Sequence, residues 1–358
     1  MELKNSLFSD DAKDVFNKLD YLNKKFSGKK ILLTGASGFL GVNFLNYFSY
    51  LNNSNLLKKS CKIYAYDNFL RKPPFWFNQL IAADRNIKIT KKNILNIKIF
   101  PNVDYIIHAA SIASPTFYKK YPLETIDANV NGIRNILDFY KNKNIKSILY
   151  FSTSEVYGDP DKKNIPTKEN YNGNVSTIGP RACYDESKRL GETLCVNYLK
   201  LFKLPVKIVR PFNNYGPGLN INDKRVIPDF FNNILKNQNI TMYSKGRDTR
   251  TFCYITDAIE GYIRVLLCGK NGEPYNIGTE KPEISISNLA KLIIEVGENK
   301  KKILFKKNSD KTYLKDNPKR RCPNISKAKK ELSFNPSVNL TEGLKKTYNF
   351  YKYELNNK

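Results

Sequence analysis

The chain has 358 residues, with 60 Lys+Arg against 33 Asp+Glu, a formal net charge of +27, one histidine and six cysteines. At 41% hydrophobic and 26% charged it lies in the ordinary globular range, long enough for one large or two smaller domains with a real core. A single histidine, His108, excludes multi-histidine metal centres, so no metal is expected and the chemistry falls to Tyr, Lys, Asp, Glu, Arg or a bound cofactor.

Residues 1–28 precede the first strong strand. Val15, Leu19 and Leu22 stand at helical spacing among Asp and Lys, which predicts an amphipathic helical extension. From Lys30 a β/α rhythm sets in. Residues 31–35, 61–67, 105–110, 147–153 and 206–212 read as apolar strands, and 39–50, 122–142 and 184–202 as helices. Unbroken apolar strands alternating with helices predict an α/β fold, a doubly wound parallel sheet over 29–213 with helices on both faces. After Asn213 the texture turns to Gly, Asn and Pro. Helices near 228–237 and 257–268, a strand near 240–244 and two amphipathic helices in a basic tail from Lys301 predict a smaller α/β lobe over 214–358. Part of that lobe is expected to return to the sheet. It should sit over the carboxyl ends of the strands, where open α/β folds bind ligands.

The basic residues form no long block or arm, so the charge reads as compositional and no nucleic-acid partner is expected. A basic surface still draws small anionic substrates. Cys61, Cys183, Cys195, Cys253, Cys268 and Cys322 contain no CxxC pair and read as free thiols of a reducing compartment. No signal peptide and no apolar run near 18 residues is present, so a cytoplasmic protein without membrane contact is expected.

The first strand runs into Gly35-Ala-Ser-Gly38-Phe-Leu-Gly41 and then a helix. Glycines there allow a tight turn and close backbone approach, and the helix N-terminus offers N–H groups to a pyrophosphate. Asp67 closes the second strand, where a carboxylate can accept from a ribose 2′-OH, and this favours NAD over NADP. Arg71 and Lys72 follow closely and leave the NADP reading open, and Asp67 could instead cap a loop.

Tyr184 and Lys188 stand at i and i+4, on one helical face. A phenol paired with an ammonium group is eased toward the phenolate, a working general base. The preceding strand delivers Ser152, Thr153, Ser154 and Glu155 at its carboxyl end, hydroxyls and a carboxylate where an α/β site belongs.

Gly35-x-x-Gly38-x-x-Gly41, Asp67, the HAA of 108–110, Asn129-x-x-Gly132, Thr153 and Tyr184-x-x-x-Lys188 together resemble the extended short-chain dehydrogenase/reductases that act on nucleotide sugars. ASIASPTFYKKYPLETI, STSEVYGDP, GPRACYDESKR, FNNYGP, NDKRVIPDF, RDTRTFCYITD and NPKRRCPNISKAKKEL resemble the UDP-glucuronic acid decarboxylases within them. The resemblance covers residue 29 to the C-terminus and implies a Rossmann-type fold, bound NAD and a homodimer built on a four-helix bundle from 122–142 and 184–204.

It also implies roles. Thr153, Tyr184 and Lys188 would form the oxidising triad, with Ser154, Glu155 and Arg321 completing the catalytic set. Gly35, Ser37, Gly38, Phe39, Leu40, Gly41, Asp67, Asn68, Asn93, Ile94, Ala109, Ala110 and Asn129 would line the cofactor with Tyr184 and Lys188. Ser114, Glu155, Arg181, Asn213, Arg225, Arg250 and Arg321 would hold the nucleotide sugar, guanidinium groups being suited to its anions. His108 would belong to a strand-end motif rather than act as a base. Four features depart from the pattern: Asn93 replaces an aspartate, Gly218 replaces an arginine, and the 1–28 extension and the aromatic segment 71–78 fall outside it.

A decarboxylase oxidises C4, loses CO₂ from the resulting β-keto acid and is re-reduced. A nucleotide-sugar 4,6-dehydratase shares the first step but usually needs an adjacent Asp-Glu pair where this chain has Ser154-Glu155. A 4-epimerase has no need of Glu155. A non-catalytic NAD-binding scaffold has no need of the intact triad.

Overall fold

The computed structural model describes residues 7–306 and 315–357. Residues 1–6 of the predicted extension, and 307–314 and 358 of the predicted tail, lie outside them. Seven strands form one sheet: β1 (Lys30–Thr34), β2 (Lys62–Asp67), β3 (Ile87–Lys91), β4 (Tyr105–His108), β5 (Ser147–Phe151), β6 (Val206–Pro211) and β7 (Pro274–Ile277). Their order is β7-β6-β5-β4-β1-β2-β3, and every pairing is parallel. The order reverses between β1 and β4, so a crevice opens beyond their carboxyl ends, where this architecture takes its ligands.

The helices are α1 (Leu7–Leu19), α2 (Phe39–Asn53), α3 (Phe77–Ala82), α4 (Pro115–Lys120), α5 (Pro122–Tyr140), α6 (Ala182–Phe202), α7 (Val226–Leu235), α8 (Ile255–Cys268), α9 (Ile286–Val296), α10 (Ser326–Leu332) and α11 (Leu340–Asn356). Proline opens both α4 and α5, where its missing N–H costs nothing and its φ suits the first turn. Alternation along β1 sorts the core into two layers. Ile31 and Leu33 pack with Phe44, Phe48 and Tyr262 of α2 and α8, while Leu32 packs with Ile133, Ile136 and Leu137 of α5. Those strands are apolar on both faces because both faces are covered.

Four elements differ from the sequence reading. β3 carries only Ile87 and Ile89 among lysines, an edge strand whose apolar signal is thin. β7 and α9 were not anticipated as elements, and β7 extends the sheet at its other edge from within the 214–358 segment. The strand read at 240–244 spans Ile240–Met242 and pairs in parallel with Ile303–Phe305, apart from the main sheet.

The N-terminal extension is a packed part of the body. Val15, Leu19 and Leu22 are buried, and Lys18 reaches the buried Asp257 at the start of α8 (2.8 Å). Asp11 accepts from Tyr254 (2.8 Å), and Asn23 accepts from Tyr47 (2.7 Å). Phe8 meets Trp76 and Phe350 at ring distances of 4.9 and 5.7 Å, and Trp76 donates its indole N–H to Glu354 (2.9 Å). The extension, the aromatic 71–78 segment and α11 thus share one cluster. The same packing accounts for Gly218: its φ is +88°, and a Cβ there would lie 2.9 Å from Val42 and 3.5 Å from Phe8.

Candidate active site

The glycine turn lies at the switch point. Gly35 has φ +73°, and a Cβ on it would stand 2.8 Å from the Ala109 and Ala110 backbone. A Cβ on Gly41 would come within 2.2 Å of the Gly35 carbonyl. These two positions require glycine because the chain crosses itself there. Gly38 is the N-cap of α2 and supplies no side-chain cap, so the first N–H groups of the helix, at Phe39, Leu40 and Gly41, have no side chain of the cap residue competing for them. Such an uncapped 15-residue helix behind a glycine turn fits the pyrophosphate of a dinucleotide.

Asp67 ends β2 and does two things at once. One carboxylate oxygen accepts from Ser37 N–H and the other from Phe69 N–H, both at 2.8 Å, tying the second strand to the glycine turn. Asn68 and Asn93 each accept a backbone N–H two residues on, from Leu70 (2.9 Å) and Leu95 (3.1 Å), and both shape local turns. Ile94 is buried beneath α5, 3.1 Å from where a Cβ on Gly132 would stand. Asn129 is buried and links Ser111 (2.7 Å) to Ser187 (2.9 Å). His108 shares a hydrogen bond with Thr34 (2.8 Å) and is held neutral, pushed down to about 3 by burial and then by the charge of Lys188.

Tyr184 and Lys188 come from the first two turns of α6, opposite the end of β5. Thr153 hydrogen-bonds the Tyr184 side chain and caps the 3₁₀ turn Ser154–Tyr157 by accepting from Glu155 N–H (3.2 Å). Lys188 donates to the Phe151 carbonyl (2.8 Å), with its nitrogen 5.9 Å from the Tyr184 ring centre. The sequence reading had Lys188 easing the phenol toward the phenolate. In the structure burial dominates instead: it pushes Tyr184 up, against the Thr153 hydrogen bond, and pushes Lys188 down to about 7. Tyr118 stacks on Tyr184 at 5.0 Å and 10°, walling off the ring.

A charged cluster adjoins this pair. Arg181 and Arg321 each place Nη2 2.5 Å from Glu155 Oε2, and Arg181 Nε lies 3.5 Å from Asp185. Burial pushes Glu155 up, but the two guanidinium charges outweigh it and hold the carboxyl below its usual range. Asp185 goes the other way, up to about 8, through burial and then the Glu155 charge. Near neutrality the cluster therefore sets the cations of Arg181, Arg321 and Arg250 against one ionised carboxylate. Such an excess of buried positive charge suits an anionic ligand.

The remaining residues read as substrate ligands meet different partners. Arg250 donates to the carbonyls of Thr249 (2.7 Å), Pro318 (2.5 Å) and Lys319 (3.2 Å), fastening the strand of Arg321. Asn213 donates to the Thr251 carbonyl (2.8 Å) and accepts from Arg321 (3.4 Å). Arg225 pairs with the buried Asp223, as does Arg71 (2.9 Å), while Ser114 donates to the Asp223 carbonyl (2.9 Å). Arg71 also lies over the Phe117 ring at 4.1 Å. The cation left open beside Asp67 is thereby engaged by Asp223. Sequence reasoning missed Tyr118, Asp185, Glu192 and Arg210. Of these, Asp185 and Glu192 were accessible as neighbours of Tyr184 and Lys188 on one helix, whereas Tyr118 and Arg210 are joined to the site only by the fold.

A family model described as the NAD-dependent epimerase/dehydratase family matches residues 31–278. UDP-glucuronic acid decarboxylase 6 of Arabidopsis thaliana is 37% identical over 324 residues, 90% of this chain and 89% of that protein. UDP-glucuronic acid decarboxylase 1 of Xenopus tropicalis is 36% identical over 331 residues, 91% and 73% of the two chains. Among solved structures, UDP-glucuronic acid 4-epimerase of Bacillus cereus, in complex with UDP-glucuronic acid and NAD, matches at TM-score 0.75 and 27% identity, covering 90% of this chain and 99% of that one. dTDP-glucose 4,6-dehydratase of Bacillus anthracis, in complex with NAD, matches at TM-score 0.76 and 26% identity, over 91% and 97%.

Proposed function

The chain belongs to the NAD-dependent epimerase/dehydratase family, and from that premise we propose that it is a UDP-glucuronic acid decarboxylase, forming UDP-xylose with NAD bound at the glycine turn. One observation carries the reading: Glu155 is clamped between Arg181 and Arg321 beside Tyr184, a cationic cluster ready for a sugar that carries its own carboxylate. When bound, NAD supplies a hydride acceptor for the sugar C4 and the donor for its return. The glycine turn and Asp67 would orient that cofactor, and the buried Tyr118 walls off the ring of Tyr184.

Tyr184 takes the C4 hydroxyl proton in its phenolate form, which the Thr153 hydrogen bond favours against the burial that favours the neutral phenol. A uronic acid oxidised at C4 is a β-keto acid. Its C5–carboxyl bond breaks, CO₂ leaves, and the electron pair passes to the C4 oxygen as an enolate. Arg181 and Arg321 hold the sugar carboxylate in its ionised form until CO₂ leaves, and C5 takes its proton from solvent beside the ionised Glu155. Tyr184 then returns its proton to the C4 oxygen. The diphosphate falls to Arg225 and the nucleotide end to the loops around Asn213 and Arg250.

Incubating the purified protein with NAD⁺ and UDP-glucuronic acid, and following products by mass spectrometry, tests this. Loss of CO₂ to a UDP-pentose is expected. Unchanged UDP-glucuronic acid, together with water loss from a nucleotide hexose, would replace the reading with a 4,6-dehydratase; inversion at C4 without loss of mass would replace it with an epimerase.

A homodimer through α5 and α6 fits the same reading. The two helices pack on each other yet leave Leu123, Ile126 and Leu190 exposed, apolar surface that a second pair of helices would cover. Light scattering should give twice the chain mass; a monomer alone overturns it. The six free thiols support a reducing, cytoplasmic setting, and among the described residues no helix is long and apolar enough to cross a membrane.

A further inference from the structure

Behind the turn that carries Thr153, Ser154 and Glu155 lies a polar network that the chemistry above does not use. Ser152 and Tyr157 bracket that turn. Ser152 donates its hydroxyl proton to Glu192 Oε1 (2.5 Å), and the Tyr157 hydroxyl accepts from Arg210 Nη1 (2.8 Å). Glu192 and Arg210 are joined by a two-pronged pair, Nε to Oε1 at 2.8 Å and Nη2 to Oε2 at 2.6 Å. Arg210 also donates to the Glu169 carbonyl (2.9 Å), and Tyr157 passes its own proton to Asn276 Oδ1 of β7 (2.7 Å). The paired side chains are only 11% and 14% exposed, so neither can trade its partner for bulk water.

The placement gives this pair leverage. Glu192 rides on α6 one turn beyond Lys188 and two beyond Tyr184, on the same face. Arg210 stands on β6, the neighbour of β5. The ion pair therefore ties the helix of Tyr184 to the strand end of Thr153, and it does so on both sides of the catalytic turn. The bridging atoms sit in fixed fork geometry, which a guanidinium provides and an ammonium does not.

We propose that the Glu192–Arg210 pair is a positioning element with two separable ends: through Ser152 it sets Thr153 against Tyr184 for oxidation at C4, and through Tyr157 it sets Glu155 against Arg181 and Arg321 for the loss of the carboxyl group. The division into two steps rests on the decarboxylase reading; the anchoring of the turn does not. Ser152→Ala releases one end and Tyr157→Phe the other, each leaving the ion pair intact and the side-chain volume nearly unchanged. A displacement of about 1 Å at a reacting centre costs on the order of 100-fold in rate, so effects of about 10-fold to 100-fold are expected.

The test uses single-turnover kinetics on NAD-loaded protein with UDP-glucuronic acid, following nicotinamide reduction and CO₂ release separately. Ser152→Ala should slow nicotinamide reduction by about 10-fold or more, with KM changed by no more than about twofold. Tyr157→Phe should leave that step within about twofold and slow CO₂ release by about 10-fold, so that a 4-keto uronate accumulates. Arg210→Lys should slow both steps, and Glu192→Gln, which keeps the hydrogen bond to Ser152 but loses the charge, should fall between wild type and Arg210→Lys. Amide hydrogen exchange over Thr153–Tyr157 gives a readout that needs no turnover: it should quicken in Ser152→Ala and Tyr157→Phe while α5 stays protected. Equal slowing of both steps by the two single-end variants, or loss of rate that only tracks loss of melting temperature, overturns the two-step division. Unchanged exchange in the turn overturns the anchoring itself. A wild-type protein that releases no CO₂ instead removes the decarboxylase reading, and the exchange result still decides the anchoring.

Discussion

The two ends of the crevice are built from different materials. At the dinucleotide end the backbone does the shaping: Gly35 and Gly41 let chain segments touch, and Asp67 spends both oxygens on peptide N–H groups. At the sugar end side chains do it. Glu155, Arg181, Asp185, Arg250 and Arg321 lie close together and largely buried, and their charges push one another's protonation in opposite directions. A site built from backbone tolerates changes of pH and fails on a change of volume. A site built from opposed charges behaves the other way round, because its geometry depends on which groups are ionised.

That contrast can be attacked with substitutions whose effects fall at one end only. Tyr184→Phe should be the most damaging to chemistry, cutting kcat by about 1,000-fold or more while NAD co-purifies in normal amount; near-normal turnover would remove Tyr184 from the mechanism. Arg321→Lys keeps the charge but loses the fork, and a loss of about 10-fold to 100-fold in kcat/KM is expected, again with full NAD content. Gly41→Ala strikes the other end. Its new Cβ would stand 2.2 Å from a carbonyl oxygen, so the turn must open, and the expected result is protein that has lost most of its NAD, measured by cofactor release on denaturation. Full cofactor content in Gly41→Ala would show that the close crossing is not what shapes that end.

The same contrast explains what could be read from the chain. Gly35, Gly38 and Gly41 are three residues apart, and Tyr184 and Lys188 four, so turn geometry and helical periodicity bring them together before any tertiary contact forms. The unbroken apolar run at 31–35 and its successors point to strands covered on both faces, and with them to the parallel sheet. Glu155 and Arg321 are 166 residues apart, and no local rule joins them; resemblance to a family was the only route. Arg210 is one of 60 basic residues, and only its register on β6 distinguishes it. β3 escaped because an edge strand facing solvent carries half an apolar pattern, and β7 because its four residues, Pro-Tyr-Asn-Ile, include a proline and an asparagine that read as loop. Tolerated here at the sheet edge, the proline gives up no interior ladder bond.

The smallest effect, and the one that separates the two ends most cleanly, belongs to Asp185. Its carboxyl is pushed up to about 8 by burial and by Glu155, against Arg181 and Arg321. A group whose folded pKa lies above its unfolded value favours the folded state at low pH, and that advantage is lost as pH rises through the folded value. Wild-type protein should therefore lose stability between about pH 4 and pH 8 relative to Asp185→Asn, which cannot ionise, and the difference in melting temperature should grow across that interval and then level off. Ionisation of Asp185 also cancels part of the positive excess beside Glu155, so the wild-type KM for a uronic acid substrate should rise near pH 8 by more than that of the Asn variant. NAD content should not differ between the two proteins at any pH, because the substitution lies at the sugar end. A wild-type KM that is flat through pH 8 would mean that Asp185 is already ionised at neutrality, and that the sugar end balances its charges without a shared proton.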